Sequence, residues 1–184
     1  MMPDPTTAAG ITAALVFGAL LVAHHLGDHW FQSEFSAIHK GDHDRRGQLA
    51  CAWHVTTYTA TTTAVVLAVL ILPLGATATW HGVVAGQMFS AATHYAIDRR
   101  WTLAWLADRV GKRAFHDLGQ PRTGYTVMAS HTVPVPGRSG DVKAKGETVM
   151  VPLDQPTMGT GAYSLDQALH ITALFVAALL TALS

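Results

Sequence analysis

Histidine and aspartate recur in this chain at one spacing. His24 and Asp28 stand four residues apart, as do His94 and Asp98, and Asp166 and His170 repeat the interval in reverse order. His54 adds a fourth imidazole with Tyr58 four residues on, and Gln32 extends the first pair by one more step. On a helix, residues i and i+4 share a face, so each pair can point into one interior. Four imidazoles and three carboxylates form a donor set suited to Zn²⁺, Mn²⁺ or Fe²⁺, and less natural for the all-oxygen shell of Mg²⁺. The expected ligands are His24, His54, His94, Asp166 and His170, holding one or two ions, zinc or manganese first. Asp28 and Asp98 are the carboxylates expected to take a proton from an activated water. Gln32, Tyr58 and Gln167 are expected just behind the ligands. The same residues also admit a polar network that only holds helices together, or a path for protons or ions.

The segments that must position these groups are unusually apolar. Of 184 residues, 49% are apolar and 13% charged, about half the charged share of a typical soluble chain. Lys plus Arg and Asp plus Glu are 12 each, so nothing suggests a nucleic-acid partner, which would bring a basic excess. The single cysteine, Cys51, excludes an intrachain disulfide and any cysteine-rich metal cluster. Between Arg46 and Asp98 there is no Asp, Glu, Lys or Arg at all. A bilayer crossing takes ~20 mostly apolar residues, so that gap holds two spans and a turn at Pro73–Thr77. The expected fold is all-α: one membrane domain over 1–184, a polytopic bundle with spans at about 8–27, 48–72, 78–97 and 165–183. A soluble bundle is the alternative, and TTTAVVLAVLILPL leaves it no polar face to offer water. MMPDPTT carries no basic residue before the first apolar stretch, so that stretch is expected to be retained rather than cleaved as a signal peptide.

Basic residues orient the bundle. Lys40, Arg45 and Arg46 follow the first span, and Arg99, Arg100, Arg109, Lys112 and Arg113 follow the third, while the 73–77 turn has none. The positive-inside tendency then puts both charged connections in the cytoplasm and both termini outside, a multi-pass protein of the inner (cytoplasmic) membrane. Derived from the basic residues, this orientation gathers His24, Asp28, His54, His94, Asp98, Asp166 and His170 in one layer near the cytoplasmic side. WTLAWLADRVGKRAF, about 101–115, interleaves tryptophans and basic residues at helical spacing and reads as an interfacial helix meeting membrane lipid. Residues 118–164, rich in proline and glycine, read as a cytoplasmic extramembrane flap, with YTVMASHTVPV and ETVMVPL β-prone enough for a small hairpin. His25, His29, His39, His43 and His81 fall away from the layer, while His116 and His131 depend on where the flap lies. Gly82-x-x-x-Gly86 is a weak signal of close helix packing. Homo-oligomerisation stays open.

AHHLGDHWFQ, then Lys40, HVTTY, HYAIDR and finally LDQALH resemble the motifs of the small bacterial and phage membrane proteins grouped as DUF3307, a family of unknown function. The resemblance spans roughly the first hundred residues and resumes at the last helix. It matches His24, Asp28 and Gln32, then His54, then His94 and Asp98, then Asp166, Gln167 and His170. A lysine is usual just beyond the third motif's aspartate; here Arg99-Arg100-Trp101 keeps only the charge. His25 and the long 118–164 insert look particular to this chain. The family implies no reaction. The residues themselves point to a metal-dependent hydrolase at the cytoplasmic membrane surface, with Arg99, Arg100 and Arg122 near an anionic substrate such as a phosphorylated or lipid-linked compound. A divalent-metal or proton carrier, and a structural membrane protein with a polar packing cluster, are the alternatives.

Overall fold

The computed structural model describes residues 4–119, 125–136, 142–152 and 160–183. Among them the helices are α1 (Pro5–His29), α2 (Glu34–His39), α3 (Arg45–Ile71), α4 (Trp80–Asp98), α5 (Trp101–Arg109), α6 (Arg113–His116) and α7 (Thr160–Leu183). Strands β1 (Tyr125–Pro136) and β2 (Val142–Pro152) come between α6 and α7. The chain divides into two compact units, one of Met1–Arg113 with Ser164–Ser184, the other Ala114–Tyr163.

In the larger unit α1, α3 and α4 each start on a side-chain cap. Asp4 accepts from the Thr6 and Thr7 amides at 3.0 and 3.1 Å ahead of Pro5, which needs no donor partner at the first helical position. The Thr7 hydroxyl, with those amides, holds the Asp4 carboxyl below its ordinary range. Asp44 caps α3 through the Gly47 amide at 2.8 Å, and Thr79 caps α4 through the Gly82 amide at 3.0 Å. α3 stops at Leu72 because Pro73 cannot donate and restricts the residue before it. The interfacial helix expected over 101–115 is shorter than that: α5 ends at Arg109, and Gly111 turns the chain with φ +68°. α2, after its Ser33 cap, is a separate short helix.

Among the described residues three helices, α1, α3 and α7, are long and apolar enough to cross a membrane. Of the four spans expected, the one at 78–97 is not among them. α4 has the length but carries His81, Gln87 and His94 among its 19 residues, which dilute its apolar character. Its polar groups are turned inward: Gln87, Ser90, His94 and Asp98 are all buried. Large apolar side chains meanwhile cover the outside, among them Val22, Leu67, Ile71, Val84, Met88, Ile171 and Phe175. An inverted arrangement of this kind suits association with lipid.

One half of the bundle is a dry core of Val16, Ala19, Leu20, Val66, Leu174, Ala177 and Ala178, with Phe17 and Phe175 edge to face, ring centroids 5.8 Å apart. Gly86 lets α4 and α7 touch, since a Cβ there would run into the Thr181 hydroxyl and the Ala177 carbonyl. At the far end of α1, the Thr12 hydroxyl accepts from the Thr77 amide at 2.9 Å, tying the α3–α4 turn to α1. The other half of the bundle is polar.

In the smaller unit, β1 and β2 run antiparallel from the Tyr125–Pro152 pair to the Pro136–Val142 pair, with an irregularity between Met128 and His131. Residues 137–141, where a hairpin turn would be, lie outside the described residues. His116 Nδ1 lies 2.8 Å from the Asp117 carboxylate.

Candidate metal centre

Four helix positions converge on a point in the polar half. His54 Nε2 on α3 and His94 Nε2 on α4 are 3.0 Å apart. Asp28 Oδ1, near the end of α1, lies 3.3 Å from each of them. Asp98 Oδ2, closing α4, lies 3.2 Å from each. These distances make two triangles that share the His54–His94 edge, one closed by each carboxylate.

Without a cation this geometry is hard to satisfy. Each imidazole has one Nε2 for three acceptors or donors around it, and two carboxylates of like charge face the same space. Asp28 Oδ1 and Asp98 Oδ2 are buried, and the two ring nitrogens at 3.2–3.3 Å are too poorly aimed to count as good hydrogen-bond partners. Buried acceptors left short of partners cost about 1–3 kcal/mol each, more when charged. A divalent ion among the four would satisfy them together. These buried His and Asp groups could therefore hold a metal ion.

The surroundings fix the ligands in the required state. With its amide oriented to satisfy both ends, Gln32 donates to the Asp28 carbonyl at 3.1 Å and accepts from Lys40 Nζ at 3.1 Å and His54 Nδ1 at 3.3 Å. A proton on His54 Nδ1 leaves its Nε2 lone pair facing the centre. Tyr58 stacks flat on the His94 ring, centroids 3.7 Å apart and planes at 15°, and its hydroxyl lies 3.2 Å from Ser90 Oγ. His170 Nδ1 donates to the Asp166 carbonyl at 3.0 Å and lies 3.3 Å from the Asp166 carboxylate, which leaves Nε2 bare and 3.9 Å from Asp98 Oδ1. His24 is fully buried, with Nδ1 3.6 Å from Asp28 Oδ2. Gln167 bonds to the Asp166 carboxylate at 3.2 Å.

Lys40, which the sequence marked through the family resemblance and as a basic residue after the first span, also takes part. Its ammonium lies 2.9 Å from Asp98 Oδ1, and the residue is only 8% exposed. Helical spacing could not have placed it there, because it shares no helical face with those His and Asp residues. Ser90 and Gln87 were not among the expected site residues, although both sit on the face of His94, one and two turns back. Gln87 accepts from the buried Thr62 hydroxyl at 2.8 Å.

The arginines do something other than wait for substrate. Arg99, 4% exposed, donates to the Lys40 carbonyl at 2.9 Å and to the Asp42 carbonyl. Arg100 donates to the Ala37 carbonyl at 2.9 Å. Together they strap the α2–α3 connection, and with it Lys40, against the end of α4. Arg122 lies outside the described residues. Among the other histidines, His25 and His29 stack on each other away from the centre. His39 pairs with Asp42 at 2.8 Å, and His43 stacks on Trp101. Two surface grooves, one along Val55, Thr59, Thr63 and Ala91, the other along Ile97, Trp101, Trp105 and Leu169, both lie off the donor cluster.

No curated protein and no solved structure matches the chain. One family model does, over residues 16–117, a stretch that contains Asp28, His54, His94 and Asp98 together with Lys40 and Gln32 and stops before α7. By that match over more than half its length, the chain belongs to DUF3307, the family described as a protein of unknown function.

Proposed function

We propose that this is a membrane-embedded protein built around a divalent metal ion, zinc or manganese, that serves hydrolysis at the cytoplasmic membrane surface. The observation that carries the metal is the close approach of His54, His94, Asp28 and Asp98 in a buried space, with carboxylate oxygens short of partners. In this reading α4 crosses as a fourth span, its ~28 Å length matching the hydrocarbon layer. The basic connections face the cytoplasm and both termini face outward. An ion held there would lower the pKa of bound water and polarise a phosphoryl or carbonyl oxygen. Asp28 and Asp98 would hold the ion, the second oxygen of Asp28 would be the one placed to accept the proton, Lys40 fixes the Asp98 carboxylate, and His24 and His170 border the reacting space. The substrate class that suits the place is a phosphorylated or lipid-linked compound reached from the inner leaflet.

A carrier is less well supported, because the half of the bundle beyond Tyr58 packs Val16, Leu20, Val66 and Leu174 with no ionisable residue among them. A structural metal has one observation in its favour. The four protein donors gathered there are as many as a closed structural shell needs, whereas catalytic zinc keeps a position open. Metal analysis of the detergent-purified chain tests the common premise: wild type should retain at least one ion and His94→Ala should lose it, and metal-free wild type prepared without chelator refutes the centre. A headgroup phosphoester screen then separates the two roles. Cleavage that disappears in His94→Ala supports hydrolysis, and metal retention without any cleavage supports the structural role. Metal flux into sealed liposomes that the same substitution abolishes would make the protein a carrier.

A further inference from the structure

Resting on the metal reading above, we infer that a second divalent cation binds beside the first, held by His24 and His170, with Asp28 bridging the two ions. A first ion among His54, His94, Asp28 and Asp98 leaves both of these imidazoles unused. His24 is 0% exposed, and neither of its ring nitrogens has a hydrogen-bond partner. His170 is 2% exposed; its Nδ1 is committed to the Asp166 carbonyl, and its Nε2 has no partner. The two rings lie side by side, centroids 4.9 Å apart. Three buried nitrogens without partners, on two rings in contact, are too many to leave dry.

Asp28 faces both places. Its Oδ1 is a corner of the first site, while its Oδ2 lies 3.6 Å from His24 Nδ1. Two donors sharing one ion at ~2.1 Å are at most about 4.2 Å apart, so that pair fits a common cation. Asp98 cannot bridge in the same way, because Lys40 Nζ occupies its second oxygen at 2.9 Å. The bridge is therefore one-sided, and the second ion belongs on the α1–α7 side of the bundle. A carboxylate that joins two ions is a recurring feature of two-metal hydrolytic sites.

Charge orders the two events. Asp28, Asp98 and Asp166 supply three negative charges and Lys40 one positive, so the first divalent ion neutralises the cluster. The second enters a neutral site and gains less, so it binds more weakly.

The test is Mn²⁺ titration of the full chain in detergent after chelator stripping, counted by loss of the free-ion paramagnetic resonance signal. Wild type should take up two ions in two steps and show the multi-line spectrum of an exchange-coupled pair. His24→Ala and His170→Ala should each take up one and lose the coupling. One ion per wild-type chain overturns the second site and leaves the first standing, with water between His24 and His170. No ion overturns the metal reading itself. Two ions that persist uncoupled in both variants would put the second elsewhere and overturn this assignment. Wild-type stoichiometry and spectrum decide even if a variant fails to fold.

Discussion

Lys40→Met is the most revealing single change, because it removes charge from a buried pair while keeping the length of the side chain. Lys40 and Asp98 are 2.9 Å apart, with side chains 11% and 3% exposed. Breaking a buried pair by deleting one partner typically costs about 3–5 kcal/mol, since the other charge stays behind unpaired. In the metal-free chain the remaining relief for Asp98 Oδ1 is His170 Nε2, at 3.9 Å, which is too long for a hydrogen bond. Lys40→Met should therefore lose about 3–5 kcal/mol without metal, and visibly less with it, because the ion stabilises the same carboxylate. Asp98→Asn in the same background gives a double-mutant cycle, with an expected coupling of about 2 kcal/mol or more. The assay is reversible denaturant unfolding in mixed micelles, followed by circular dichroism, with chelator and with Mn²⁺. A loss below about 1 kcal/mol, or a coupling below about 0.5 kcal/mol, would refute a dry pair. Equal losses with and without metal would refute the link between Lys40 and the centre.

Three other substitutions probe separate parts of the argument. Gln32→Leu removes the acceptor that keeps the His54 proton on Nδ1, and metal affinity should fall about 10–100-fold by competition with a fluorescent chelator, with little change in fold. Tyr58→Phe keeps the ring on His94 and loses only the Ser90 contact, so stability should drop by about 1 kcal/mol while ion stoichiometry stays at its wild-type value. Gly86→Ala drives a methyl group into Thr181 and Ala177, and unfolding should show a loss of about 1–3 kcal/mol, with faster proteolysis of α7.

The helical pairs were legible because a fixed period puts i and i+4 on one face wherever the chain is helical. His24 with Asp28, His94 with Asp98 and Asp166 with His170 needed no tertiary information beyond that. Lys40 did need it: the residue reaches Asp98 only because Arg99 and Arg100 pull its loop across the end of α4, and nothing local encodes that. The same strap changes what the two arginines do, and sequence position alone offered them as free cations. The apolar outer helices were equally plain, whereas α4 was harder to class because its inward face carries the polar groups that hydropathy counts against it. Which of the four imidazoles would form the inner shell was not legible either. Ring direction depends in part on Gln32, which reaches His54 from another segment, and on Tyr58, which stacks on His94 from another helix, and both contacts come from packing between segments distant in sequence.

The four clustered donors come from α1, α3 and α4, and the last of them is Asp98. His170 follows more than seventy residues later, on α7. Chains are made from the N-terminus at about 5–20 residues per second, so a ribosome would present the first four donors seconds before it delivers the last helix. An ion captured during that interval would offset the Asp28 and Asp98 charges and draw α1, α3 and α4 together around it. The groove for α7 would then be shaped before α7 exists, with Gly86 already bare to receive Ala177 and Thr181. Metal supply would in this way act on the assembly of the bundle as well as on its finished chemistry. A cell short of the ion would accumulate chains whose final helix has no seat.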